Sequence, residues 1–231
     1  MALAAAALLA LPAAGDASSA PDAAAERSCV DVAVELVQRR YEGIRDLRAS
    51  FEQTTRSVAL GSGTPGAVAT SRGRVVFAKP GRMRWSYDEP EPSLVLSDGR
   101  LLSIYDPGRG ELQRLPVGQA FLSGAGIQFL LGEGELRREF EISAVACEAA
   151  ATELELVPRQ PASYERLRLR IDARSGDVLR TEIVDLLGNH TVVAFRDIEV
   201  DTAPGPELFR FEPPEGVRVI ELGVPGAGSE P

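Results

Sequence analysis

Hydrophobic and polar positions alternate strictly on both sides of Lys79-Pro80-Gly81. After it, Arg82, Arg84 and Ser86 point one way, and Met83, Trp85 and Tyr87 the other. Before it, Arg72 and Arg74 oppose Val75 and Phe77. A period of two around a Pro-Gly pair predicts a β-hairpin, with Pro fixing φ and Gly accepting positive φ in a type II turn. That hairpin has one basic face and one bulky apolar face, and the apolar face carries the only Trp of the chain. Upstream the period is helical. Val30, Val34, Val37, Tyr41, Ile44 and Leu47 or Leu36 recur at spacings of three and four, which predicts an amphipathic helix over 30–48. From Ala49 onward Phe51, Gln53 and Thr55 alternate as in a strand.

Downstream, strand patterns recur over 70–79, 82–88, 93–98, 101–106 and 110–115. Ser97-Asp98-Gly99-Arg100 and Asp106-Pro107-Gly108 supply turns between them. From Val117 to Glu135 the pattern breaks into apolar residues among glycines, which predicts one or two short helices. Strands resume over 138–147, 152–158, 164–172, 177–185 and 190–200, with a last one at 208–212. About 10–11 meandering strands with few helices predict a mainly β, α+β chain, one antiparallel sheet curled into a barrel. The helices must then bury their apolar faces at its mouth or on its concave side.

Composition narrows the picture. A chain of 231 residues with 44% hydrophobic content supports one domain with a sizeable core. A formal net charge of −9 argues against nucleic acid as a partner. Arg72, Arg74, Lys79, Arg82 and Arg84 depart from that background, either as a solvated sheet face or as a docking patch for an acidic partner or lipid head groups. Residues 2–14 form an apolar run too short to span a bilayer and are followed by small residues, so 1–20 read as a secretory signal, although no Lys or Arg precedes the run. Residues 21–29 read as a linker, 30–222 as the domain and 223–231 as a mobile Gly/Pro-rich tail. Two cysteines, Cys29 and Cys147, in an exported chain favour a disulfide over two buried thiols. Glu26-Arg27-Ser28 before Cys29 is not the small apolar sequence a lipidation site requires.

Candidate chemistry is sparse. His190 is the only histidine and follows Leu187-Gly188-Asn189, a turn sequence, so it reads as surface decoration. One His and two distant Cys offer no metal-ligand cluster. Gly61-Ser62-Gly63-Thr64-Pro65-Gly66 matches a dinucleotide fingerprint in letters, but its Pro and polar flanks make it a loop, so no cofactor is implied. Asp88, Glu89 and Glu91 could form a hydrolase-type carboxylate pair, yet Pro90 and Pro92 place them in a turn. Binding remains. Met83, Trp85, Leu94, Leu96, Leu102 and Ile104 are candidates for an inner face, though alternation in the middle strands does not fix its parity. Phe129 and Leu130 would cover them, with Leu36, Ile44 and Phe51 from the N-terminal side. The residues alone fit either a closed core or a ligand cavity.

Several segments together resemble the periplasmic lipoprotein carrier family LolA. They are Lys79-Pro80-Gly81-Arg82-Met83-Arg84-Trp85, Leu47-Arg48-Ala49-Ser50-Phe51-Glu52-Gln53, Leu96-Ser97-Asp98-Gly99-Arg100, Tyr105-Asp106-Pro107, Phe129-Leu130-Leu131-Gly132 and Phe209-Arg210-Phe211-Glu212-Pro213-Pro214-Glu215-Gly216-Val217. The resemblance implies an incomplete antiparallel barrel with a helical lid, and a soluble, monomeric periplasmic chaperone that shields lipoprotein acyl chains. Its implied partners are acylated lipoproteins, an inner-membrane ABC release complex and an outer-membrane acceptor. It also implies that the residue before the hairpin proline, here Lys79 in place of the family's Arg, controls lid closure and release. The rival readings are an acceptor or a sensor built on the same barrel, and a hydrolase using the carboxylates near Asp88.

Overall fold

The computed structural model describes residues 20–58, 66–117 and 134–222, with side chains from Arg27 onward. The predicted signal up to residue 19, most of the Gly61-to-Gly66 loop, the lid segment with Phe129 and Leu130, and the tail lie outside the described residues. Helix α1 spans Ala20–Gly43. It therefore begins inside the stretch read as a linker and ends before the predicted residue 48.

The chain leaves the helix early because Asp46 anchors a sharp turn. Its buried carboxylate accepts hydrogen bonds from the Thr202 amide (2.7 Å), the Thr202 hydroxyl (2.9 Å) and the Ala203 amide (3.1 Å). Arg45 N donates to the Asp201 carboxylate at 2.9 Å. Buried polar groups held this way stabilise one chain path over alternatives. Leu47 then faces Phe77 and Val200 across two strands, so its helical spacing from Ile44 is only apparent.

The strands are β1 Asp46–Arg56, β2 Val68–Ala78, β3 Arg82–Glu89, β4 Ser93–Asp98, β5 Leu101–Asp106 and β6 Glu111–Pro116. After a short helix, α2 (Leu136–Glu139), come β7 Phe140–Cys147, β8 Ala151–Pro158, β9 Tyr164–Asp172, β10 Val178–Asp185, β11 His190–Val200 and β12 Arg218–Glu221. Among the described residues they make one twelve-stranded sheet in the order β12-β6-β5-β4-β3-β2-β1-β11-β10-β9-β8-β7. The barrel is open. β1 joins the two meanders by pairing with β11.

Three expectations need correction. The sheet is not wholly antiparallel, because β12 runs parallel to β6. The predicted last strand at 208–212 is a 3-10 turn, Pro206–Phe209, followed by extended chain. His190 opens β11 rather than sitting in the turn, and its Nδ1 lies 3.1 Å from Glu182 Oε1.

Both faces of the sheet bury apolar residues. On one face α1 packs on β7 and β8 through Val30, Ala33, Val34, Val37 and Tyr41. Cys29 and Cys147 are bonded, tying α1 to the end of β7. Near its C-terminal end, Arg40 Nε pairs with Asp177 at 2.7 Å, and the Tyr41 hydroxyl accepts a hydrogen bond from Val178 N at 3.2 Å. On the opposite face the 3-10 turn packs against β3 and β4.

The disulfide links residues 118 apart. On the chain-entropy model, opening such a loop removes up to about 4–5 kcal/mol. Urea unfolding of Cys29→Ser is expected to show a loss approaching that size. A loss below about 1 kcal/mol would mean that packing alone seats α1.

Candidate functional site

Strand register decides which residues share a face, since directly opposed side chains lie on the same side. Opposite Phe51 stand Gly73 on β2 and Phe195 on β11. Trp85 stands opposite Val75 and Val95, and Tyr87 opposite Gly73 and Ser93. Leu102 faces Ser97, Ile104 faces Val95, and Leu115 faces Leu102. One concave surface thus runs from Phe195 across to Leu115.

Its centre is an aromatic platform. The Phe51 ring lies 4.8 Å from Trp85 and 5.2 Å, edge-on, from Tyr87. Phe77 and Phe195 meet Trp85 edge-on at 5.9 and 6.1 Å. These are favourable aromatic separations. Gly73 makes the arrangement possible. A Cβ there would lie 1.9 Å from the Ser86 carbonyl oxygen and 3.0 Å from Phe51 Cε1. The β2–β3 register slips at Arg72/Gly73. The missing side chain lets β3 approach and leaves room for the Phe51 ring.

The platform is almost wholly apolar. The Tyr87 hydroxyl donates to Gln53 Oε1 at 3.0 Å, and burial pushes its pKa up to about 12. Trp85 Nε1 is buried with no hydrogen-bond partner among the described residues. Its strand neighbours Val75 and Val95 have no side-chain acceptor to offer. Trp85, Tyr87, Val95, Ile104, Leu115 and Val117 pack against the core yet stay only half-buried.

The structure brings Phe51, Met83, Trp85, Leu102 and Ile104 together on this face, with Ile44 in the same core. Leu36 packs instead on the β9–β10 turn, where a Cβ on Gly176 would lie 3.1 Å from its Cγ. Leu94 and Leu96 are corrections. They oppose Ser86 and Arg84, so they belong to the outer face, and Val95 and Ser97 are the inward residues of β4. Leu-Val-Leu is apolar at both parities because both faces of β4 carry apolar surface. On the outer side the 3-10 turn buries Phe209, Phe211 lies 4.8 Å from Tyr105, and Leu112 is fully buried. Val95, Leu115 and Phe195 went unnamed in sequence, and Tyr87 was placed on the apolar face but not among the binding candidates. Tyr87 was legible from its parity with Trp85, whereas Phe195 required the β1–β11 pairing.

The basic face is not an open docking patch. Arg82 lies over the Phe209 ring at 5.1 Å, and Arg84 donates to Leu208 O at 3.1 Å. Burial and the neighbouring Arg74 hold the Arg84 guanidinium below its ordinary value. Arg72 pairs with Glu52 and Glu89, and Arg74 with Asp88. Asp88 and Glu89 are therefore engaged with arginines rather than paired with each other. Lys79 Nζ donates to Tyr41 O (2.6 Å) and Glu42 O (3.0 Å), satisfying carbonyls that the end of α1 leaves open. Among the described residues no cluster could hold a metal ion, and no helix is long and apolar enough to cross a membrane.

Comparison with known proteins is consistent with this geometry. Residues 42–212 match the family model described as outer membrane lipoprotein carrier protein LolA. An outer-membrane lipoprotein carrier protein of Alkalilimnicola ehrlichii is 33% identical over 188 residues, 80% of this chain and 82% of that protein. One of Nitrosomonas europaea is 30% identical over 154 residues, 66% of this chain and 74% of that protein. An uncharacterized conserved protein from Thermus thermophilus shares the fold with a TM-score of 0.50 at 11% identity, covering 84% of this chain and 98% of its own.

Replacing Gly73 with Ala should cost about 1–3 kcal/mol, the usual range for forced overpacking. Urea unfolding measures it, and the single Trp85 reports locally. An unchanged midpoint and spectrum would mean that β2 and β3 tolerate the extra carbon and that the close approach is incidental.

Proposed function

This chain belongs to the LolA family of outer membrane lipoprotein carrier proteins, and from that premise we propose that it is a periplasmic carrier that shelters lipoprotein acyl chains on its concave face. The observation that carries the reading is the half-buried platform of Trp85, Tyr87, Val95, Ile104 and Leu115, apolar and wide, on a sheet that does not close. Acyl chains complement such a surface because they demand area and no hydrogen bonds. The unpartnered Trp85 Nε1 and the Tyr87 hydroxyl, which Gln53 satisfies, are polar atoms in a mostly apolar lining.

Energetics support a shuttle rather than a sink. Each buried methylene is worth about 0.8 kcal/mol in a bilayer or in an apolar protein pocket. Moving an acyl chain between the two is therefore nearly neutral, and the water between them is the barrier. A partner must supply direction. The proposed partners are an inner-membrane ABC complex that loads the carrier and an outer-membrane acceptor that unloads it. The reaction is binding and transfer, with no covalent step.

Lys79 is assigned release control within this reading. Its two hydrogen bonds join the hairpin turn to the end of α1, so a shift of the helix is felt at β2 and β3. Lys79→Met should still load cargo but change the rate of transfer to the acceptor at least about tenfold, the scale of one lost charged hydrogen bond. Equal transfer rates would remove Lys79 from the mechanism.

Native mass spectrometry with an acylated lipoprotein tests the whole reading. The expected result is a one-to-one complex that disappears when the same lipoprotein lacks its acyl chains. Binding that ignores acylation would point to a protein-recognition module instead.

A further inference from the structure

Leu186 and Leu187 are the most exposed large apolar residues described, at 68% and 75%. They sit side by side at the tip of the β10–β11 hairpin. Val58, 51% exposed at the end of β1, and Val68, 58% exposed at the start of β2, share that rim, because Arg56 pairs with both His190 and Val68. The tip is fastened to its neighbour. Val58 N donates to Asn189 Oδ1 at 2.8 Å, and a Cβ on Gly188 would lie 3.3 Å from Val58 Cγ2.

The tip is also prepared to leave water. Asp185 Oδ1 accepts from Leu187 N (2.8 Å) and Asn189 N (2.9 Å), and its Oδ2 accepts from Asn189 Nδ2 (2.7 Å). Gly188 N donates to Asp185 O, and Asp185 N to Asn189 O, each at 3.0 Å. The Asn189 side-chain amide, with the turn's own N–H groups, holds the Asp185 carboxyl below the usual carboxylate range. Most polar groups of the turn are thus satisfied internally, so moving it into an apolar medium strands few donors. Its one acidic group, Asp185, is engaged by the turn's own donors.

We propose that this tip is a membrane touch-down site, where Leu186 and Leu187 insert into the interface of a bilayer with uncharged head groups. Among the described residues the rim offers four such aliphatic side chains, far short of the roughly 20–30 residues a side of a stable protein interface. Two leucines suit weak, reversible insertion into lipid, as with a single short anchor. The net charge of −9 opposes anionic lipid and sets the preference for neutral head groups. The inference does not rest on the carrier reading, since insertion needs no cargo.

The test is flotation of the full chain, without cargo, on phosphatidylcholine vesicles. The chain should float with the lipid. L186S/L187S should bind about a hundredfold more weakly, roughly tenfold per leucine removed from the apolar phase. Val145→Ser, which removes an exposed aliphatic from β7, should float as the original does. Replacing part of the lipid with phosphatidylglycerol should weaken flotation at low salt. Circular dichroism checks that every variant is folded. No flotation at any lipid concentration, equal flotation of L186S/L187S, or an equal loss with Val145→Ser would each overturn the proposal. None of these outcomes bears on acyl-dependent complex formation.

Discussion

Apolar sheet surface left in water costs about 25 cal/mol per Å², and this sheet presents such surface on both sides. The arrangement of the molecule follows from how each side is covered. On the outer side the C-terminal segment packs its 3-10 turn on β3 and β4 and sets Phe211 against Tyr105, and Phe209, Leu94, Leu96 and Leu112 are all buried. Arg82 and Arg84 hold it there through a ring face and a carbonyl. On the concave side α1 covers β7 and β8, fixed at one end by the disulfide and at the other by Arg40, Tyr41 and Lys79. The rest of the concave surface, centred on Trp85, is the proposed binding face.

The platform and the cover are linked through β2. Gly73 sets how near β3 can come, and that approach sets where Trp85 and Tyr87 stand relative to Phe51. At the other end of the same strand, Lys79 caps α1. One strand thus carries both the spacing of the binding surface and the tie to the helix.

Much of this was legible in the sequence. The alternation around Lys79-Pro80-Gly81 was strong enough to assign both faces of β2 and β3, and Met83 and Trp85 lie where their parity put them. It did not foretell that the Lys79–Pro80 peptide is cis. Leu94 and Leu96 misled because a strand apolar on both faces shows no alternation to read. The helix boundary failed at Ile44 and Leu47 because the deciding interaction, Asp46 with Thr202 and Ala203, spans more than 150 residues. β12 was missed for a similar reason, since its four residues become a strand only through β6. The basic cluster read as either a solvated face or a docking patch because its partners Glu52, Leu208 and Phe209 are distant in sequence.

The central claim is that acyl chains lie against the Trp85 platform, and the chain's single tryptophan allows a direct check. Trp85 fluorescence should be recorded while a lipoprotein whose acyl chains carry a quencher is added. The account predicts saturable quenching that a lipoprotein with unlabelled acyl chains reverses and one without acyl chains does not. Stable complex formation with no quenching of Trp85 would contradict it and move the binding surface elsewhere.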